Sequence, residues 1–146
     1  MQVARLTHED LSEVAELEAL CFAAPWSLQQ IRSGFDSESS CIFGVRKSGV
    51  LVGYISLVVL PPEMEILNIA VHPDHRRRGL GKALVGAALE HARAENVENC
   101  LLDVDEANTA ALGLYEFFDF CRTGRRRAYY RFPSGARDAI LMRCSP

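Results

Sequence analysis

Five cysteines stand in 146 residues, and none falls beside another cysteine or a histidine at metal-ligand spacing. Cys21, Cys41, Cys100, Cys121 and Cys144 are far apart and odd in number, which indicates neither a zinc site nor a disulfide framework. They read as buried thiols, and no metal is expected. No apolar run reaches the roughly 18 residues that span a bilayer. The longest, Gly49 to Pro62, ends at two prolines. The opening residues, MQVARLTHED, lack an apolar stretch and turn acidic at once, which reads as the start of a domain and not as a secretory signal. A cytoplasmic protein that does not enter a membrane is the expectation. Low-complexity linkers, charge blocks and internal repeats are missing too, so a single domain over residues 1–146 is expected.

Excess charge of one sign is also lacking. The net charge of -3 provides no general attraction to nucleic acid, and no direct nucleic-acid binding is expected. What the sequence does hold is the ordinary make-up of a folded domain, 49% hydrophobic and 24% charged. Arginine is nevertheless uneven. It crowds at Arg76, Arg77 and Arg78, and again at Arg122, Arg125, Arg126, Arg127 and Arg131. The second group is compatible with an attraction to an acidic surface, and equally with plain solvated charge on a strand.

Along the chain, Val3 to Leu6 predicts a short strand. Thr7 with Asp10 predicts a capped first helix bearing Leu11, Val14, Ala15 and Leu20. After Pro25-Trp26, Ser27 can cap a second helix with Leu28, Ile31 and Phe35 on related faces. Cys41 to Arg46 and Val50 to Leu60 flank a Lys47-Ser48-Gly49 turn as a hairpin, and Met64 to Val71 adds a third strand to the meander. The period then changes. Leu80, Leu84, Ala87, Ala88 and His91 recur at helical spacing, and Asn99 to Val104 returns as a strand, which predicts parallel pairing across a right-handed crossover. Asn108 caps a fourth helix through Phe118, and strands at about Phe120 to Arg131 and Arg137 to Cys144 flank the Pro133-Ser134-Gly135 turn. The sum is an α/β fold, a mixed sheet with helices on both faces.

The informative segment joins the third strand of the meander to the long helix: Asn68-Ile69-Ala70-Val71-His72-Pro73-Asp74-His75-Arg76-Arg77-Arg78-Gly79-Leu80-Gly81-Lys82. The first turn of a helix offers free N–H groups at the positive end of its dipole, and glycine lets an anion approach them. A P-loop would need glycine at Arg76 and a hydroxyl at Ala83, so no magnesium ligand exists. A dinucleotide fingerprint would need glycine at Leu84. The pattern that remains is Arg or Gln, two residues, Gly, one residue, then Gly or Ala, met by Arg76, Gly79 and Gly81.

On this pattern the sequence resembles the GNAT acetyltransferase superfamily, in which the turn binds the pyrophosphate of acetyl-CoA. Asn108 to Phe120 is similar to the second family signature, N-x-x-A-x-x-x-Y-x-x-x-G-F, and departs from it at Asp119, where glycine is usual. Ala24-Pro25-Trp26-Ser27, Leu67-Asn68-Ile69-Ala70-Val71, Arg126-Arg127-x-Tyr129-Tyr130 and Asp138-Ala139-Ile140-x-Met142 together resemble the subfamily that acetylates the N-terminal alanine of a small-subunit ribosomal protein. The resemblance implies the GNAT fold, a mostly antiparallel sheet of about seven strands with about four helices.

It also implies a set of roles. Acetyl-CoA is the cosubstrate, held by Arg76, Arg77, Arg78, Gly79, Leu80, Gly81 and Lys82, by the strand backbone of Ile69, Ala70 and Val71, and by Asn108. Tyr115 takes the place of the general acid, although its spacing also suits a core aromatic. The subfamily places a glutamate where this chain has Asp103, shorter by a methylene, and Glu65 is the rival base. Tyr129 and Tyr130 are compatible with the peptide entrance or with the core. An α-amine is easier to deprotonate than a lysine by about 3.7 kcal/mol, so a weakly placed base suits a protein N-terminus, expected to be that of a ribosomal protein. A lysine side chain or small-molecule amine as acceptor, and a noncatalytic acyl-CoA-binding module, are the alternatives.

Overall fold

The computed structural model describes residues 2–146. Its strands are β1 (Val3–Arg5), β2 (Ser40–Lys47), β3 (Val50–Leu60), β4 (Glu63–Val71), β5 (Asn99–Asp105), β6 (Cys121–Phe132) and β7 (Gly135–Cys144). Its helices are α1 (Leu11–Cys21), α2 (Leu28–Phe35), α3 (Leu80–Ala94) and α4 (Thr109–Phe117). The strands form one seven-stranded sheet in the order β1-β2-β3-β4-β5-β7-β6. Every pairing is antiparallel except β4 with β5, the parallel crossover expected from the change of period. Among the described residues no helix is long and apolar enough to cross a membrane.

Alternation along the strands assigns the two faces. Met64 and Ile66 on β4 and Cys100, Leu102 and Val104 on β5 pack under α3 and α4, with Leu84, Val85, Ala88 and Leu112. On the other face Ile42, Leu51, Tyr54 and Ala70 meet Leu11, Val14 and Leu17 of α1 and Ile31 of α2. Burying such side chains contributes about 1.5–3 kcal/mol each, so both helical layers are held mainly by their apolar stripes.

Two expectations need correction. Thr7 does not open α1: a 3-10 turn, His8–Asp10, comes first, and the Asp10 carboxylate accepts from the Thr7 amide at 2.8 Å. Asp10 is then drawn toward Arg46 at 2.6 Å, and this cross-chain tie favours the tighter turn over a regular helix start. Nor are all the cysteines buried. Cys41, Cys100 and Cys144 are, but Cys121 is exposed because it opens the edge strand β6, and Cys21 is half-buried at the end of α1. The cap of α2 is as expected, with Gln30 donating its amide to Ser27 Oγ at 3.1 Å.

The pairing of β4 with β5 decides where a ligand can lie. It runs from Glu63 opposite Asn99 to Ile66 opposite Leu102 and stops there, although β4 continues to Val71 and β5 to Asp105. At that point Leu67 is bulged out, since Ser56 pairs with Asn68 and Leu57 with Ile66. A bulge bends its strand, so β4 leaves β5 and its edge beyond Ile66 is open.

Candidate active site

The open edge of β4 leads into the turn before α3. Gly79 takes the N-cap of α3 with φ 79, a left-handed conformation that glycine adopts without strain. The first helical bond runs from Ala83 N to Gly79 O at 3.0 Å, which leaves the amides of Leu80, Gly81 and Lys82 without helical acceptors. Arg76 folds back and donates Nε to Val71 O at 3.0 Å, tying the turn to the end of β4. These elements line a cleft of about 610 Å³ whose walls include Ile69, Ala70, Val71, Arg76, Arg77, Gly79, Leu80, Gly81 and Asn108.

Two side chains of the turn point away from the cleft. Arg78 is exposed outside the cleft wall, and Lys82 holds its ammonium 4.0 Å over the Phe117 ring. The cleft also uses Cys21, Phe22, His75, Ala110 and Leu114, none of which carried a signal in the sequence. His75 comes from the turn itself, and the others reach the cleft through the packing of α1 and α4 on the sheet. A donor-rich helix start beside an apolar channel suits a chain-like ligand with an anionic group, and this donor set fits a diphosphate attached to an extended arm.

Asn108 caps α4, accepting from Ala111 N at 3.1 Å. The far end of α4 closes with two bonds, Phe120 N to Tyr115 O at 3.1 Å and Asp119 N to Glu116 O at 3.0 Å. Asp119 lies at φ 66, so aspartate occupies the left-handed position where glycine is usual, and the helix end keeps its geometry. Tyr115 sits in this last turn, 4% exposed, with its ring edge-on to Phe120 at 5.5 Å. Burial, and then the neighbouring Tyr130, push its phenol well above the usual tyrosine range. The hydroxyl therefore stays protonated at neutral pH.

Glu65 and Asp103 lie on the opposite face of the sheet from Tyr115. In the register Glu65 is level with Leu101, two residues from Asp103 on the same face of β5. The Glu65 carboxyl is raised by partial burial first and then by the Asp103 charge, with Arg126 opposing. Glu65 as a whole stays exposed, so solvent limits the shift. Arg126 Nη1 stands 3.9 Å from Asp103 Oδ2, a loose surface pair. The candidate acid, packed in the core under α3 and α4, and the candidate bases thus lie on opposite faces of the sheet, and none of the three is in the cleft wall.

Three aromatic side chains stand outside the core. Tyr129 is half exposed and Tyr130 half-buried, and neither belongs to the core. Trp26, also exposed, stands in the loop between α1 and α2. This loop is held by a group the sequence did not single out, Glu18. Its carboxyl, in a side chain only 3% exposed, accepts from the Tyr54 hydroxyl, from Asn68 Nδ2 at 2.7 Å and from Trp26 N at 3.3 Å. A buried carboxylate needs such donors. The available clue was an acidic residue interrupting the apolar stripe of α1.

Comparison with known proteins agrees with this geometry. The acetyltransferase (GNAT) family model matches residues 11–120. The chain is 32% identical to the ribosomal protein bS18-alanine N-acetyltransferase of Escherichia coli strain K12 over 140 residues, 96% of this chain and 94% of that one. It is 40% identical to N-alpha-acetyltransferase RimI of Mycobacterium tuberculosis over 147 residues, covering 97% and 90% of the two chains. The crystal structure of the ribosomal-protein-S18-alanine N-acetyltransferase from Escherichia coli superposes with a TM-score of 0.93 at 31% identity, over 99% of this chain and 92% of that one. Open β4 edge, glycine-capped anion turn and near full-length relatedness lead to one conclusion: the chain belongs to the GNAT family and is an acetyl-CoA-dependent N-acetyltransferase.

Proposed function

We propose that this enzyme acetylates the α-amine of a protein N-terminus, alanine first among residues, and that its acceptor is a ribosomal protein. The observation that carries the reading is the parting of β4 from β5 after Ile66 and Leu102, which leaves free the strand edge that runs from beside Glu65 into the anion turn. Relatives named for the bS18 alanine terminus, matched over nearly the whole of both chains, support the acceptor class.

Acetyl-CoA supplies the acetyl group as an activated thioester. The amides of Leu80, Gly81 and Lys82, with the charges of Arg76 and Arg77, would hold its diphosphate, and the Ile69–Val71 edge and Asn108 would align its arm. Such alignment supplies much of the rate by holding the reactants in attack geometry. The Tyr115 hydroxyl, kept protonated by burial, gives its proton to the departing sulfur. Glu65 or Asp103 takes the proton of the incoming amine, directly or through one water. An α-amine near its pKa of about 7.7 is partly neutral already and asks little of that base.

The test is thiol release and mass spectrometry with three acceptors: an alanine-starting peptide, the same peptide blocked at its α-amine with a free lysine, and spermidine. We expect a single acetyl group on the alanine amine and the fastest rate with that peptide. Equal or faster transfer to the blocked peptide or to spermidine would overturn the acceptor assignment. No thiol release with any acceptor, despite coenzyme A binding, would overturn catalysis.

A further inference from the structure

Two sequence motifs, Arg126-Arg127-x-Tyr129-Tyr130 and Asp138-Ala139-Ile140-x-Met142, have no part in the chemistry above, yet the fold brings them together. They meet at an irregularity in the last hairpin. Between the pairs Arg126 with Ala139 and Tyr130 with Arg137, β6 advances four residues while β7 advances two. The surplus is looped out around Ala128, whose φ is 51. That conformation is unfavourable for alanine.

Asp138 holds the loop in place. Its Oδ1 accepts from the Ala128 amide at 2.7 Å and its Oδ2 from Arg125 Nη1 at 2.8 Å. Asp138 is itself fixed from the other side, since the Glu106 amide donates to its carbonyl at 3.0 Å and Arg125 Nη1 also stands 3.5 Å from Glu106 Oε2. These are charge-assisted bonds to a backbone amide and a guanidinium, the stronger kind for surface polar contacts.

The register shows what this achieves. Directly opposed residues share a face, so Asp103 shares its face with Leu141, Asp105 with Ala139, and Tyr130 with Arg137. Arg137, Ala139 and Leu141 alternate along β7 and lie on that one face. Arg137 meets Asp105 at 2.8 Å on it. Tyr130 is therefore delivered to the Asp103–Asp105 edge on the far side of the loop from Arg126.

We propose that Asp138 is a positioning residue of the acceptor site: by latching the β6 loop at Ala128 it sets Tyr130 against the Asp103–Asp105 edge, where the acceptor peptide enters. This rests on the acceptor reading given above. The latch acts on the peptide wall and leaves the cofactor cleft alone, because none of its atoms lines that cleft.

Steady-state kinetics of the full chain, with the alanine-starting peptide and acetyl-CoA varied in turn, test it. Asp138→Ala should raise the peptide KM about tenfold and change the acetyl-CoA KM by less than about twofold. Asp138→Asn keeps an oxygen for the Ala128 amide and should stay within about threefold of the parent. Ala128→Val resists the left-handed backbone from the other partner and should reproduce the Asp138→Ala split, so the test stands even where Asp138→Ala does not fold. An unchanged peptide KM in Ala128→Val, parallel rises for both substrates, or Asp138→Asn as poor as Asp138→Ala would each overturn the latch. Absence of transfer to the peptide by the unaltered enzyme would overturn the acceptor reading and the latch together, whereas transfer by it with an unmoved KM in the variants overturns the latch alone.

Discussion

The cleft at the start of α3 and the face proposed for the acceptor both border β4 but are built from different materials. The cleft presents backbone: the amides at the start of α3, the open edge of β4 and two glycines. The acceptor face presents side chains, Glu65, Asp103, Arg126 and Tyr130, from three strands distant in sequence. Backbone groups hold position because the helix and sheet fix them, so the cleft is set by local chain geometry. Side-chain groups need partners, and the acceptor face is accordingly laced by Asp138, Arg137 and Glu18. The first region should tolerate changes of side chain but no added bulk, and the second the reverse.

The largest effect should come from Gly81→Val. A Cβ built at Gly81 lies 3.1 Å from Leu114 Cδ2, tighter than ordinary contact, so valine would displace Leu114, which lines the cleft beside the start of α3. Affinity for acetyl-CoA, read by calorimetry, should fall by about a hundredfold or more. Arg78→Ala, outside the cleft wall, should change it by less than about twofold. A loss for Arg78→Ala as large as for Gly81→Val would break the contrast between backbone and side-chain recognition.

Next comes Tyr115→Phe, which deletes one hydroxyl and keeps the packing on Phe120. Loss of a general acid should lower kcat by about a hundredfold while both KM values stay within about threefold. If kcat holds, Tyr115 is a core aromatic only.

Glu65→Gln and Asp103→Asn sharpen the acceptor side with a smaller effect, about tenfold in kcat/KM for whichever carboxylate is the base. The pH profile separates them. Partial burial raises the Glu65 carboxyl above the usual carboxylate range, so its basic form is lost, and activity falls, as pH drops through that raised value. With Glu65 as base, Glu65→Gln should remove this lower limb and leave the limb of the amine near about 7.7. An unchanged lower limb in Glu65→Gln, with its loss in Asp103→Asn, would assign the base to Asp103.

The same contrast explains what the sequence disclosed. The anion turn was legible because Arg76, Gly79 and Gly81 are neighbours, and their spacing alone excludes rival phosphate loops. The parallel pairing of β4 with β5 followed from the shift from alternation to helical period at Leu80, and the caps at Ser27 and Asn108 from residue type. Glu18, Asp138 and the β6 loop were not legible. Each matters through a partner 10 to 50 residues away in sequence, as Ala128 is to Asp138 and Asn68 to Glu18, and no local rule ties such pairs. The direction of the Lys82 side chain was hidden for a related reason: helical phase turns its ammonium toward Phe117, a contact set by how α3 packs on α4. The exposed Cys121 followed from β6 being the sheet edge, which strand propensity does not reveal.

The smallest effect concerns the helix that joins the two regions, since α4 begins at Asn108 in the cleft and carries Tyr115 in its last turn. Its closing residue, Asp119, is left-handed at φ 66 and exposed, and its side chain stands at the negative end of the helix dipole. Glycine relieves both the Cβ strain and the unfavourable charge, against the greater freedom it gives the unfolded chain. Asp119→Gly should therefore stabilise the fold by about 0.5–1 kcal/mol, a rise in Tm of about 2–4 °C. Asp119→Ala, which keeps the Cβ but loses the polar group that tolerates this conformation, should lower Tm instead. Neither should move kcat by more than about twofold, because the two closing bonds from Phe120 and Asp119 are made by backbone and survive both changes. A gain in Tm accompanied by a fall in kcat would mean that aspartate was kept there for Tyr115, and α4 would then transmit between cleft and acceptor face what backbone geometry alone does not.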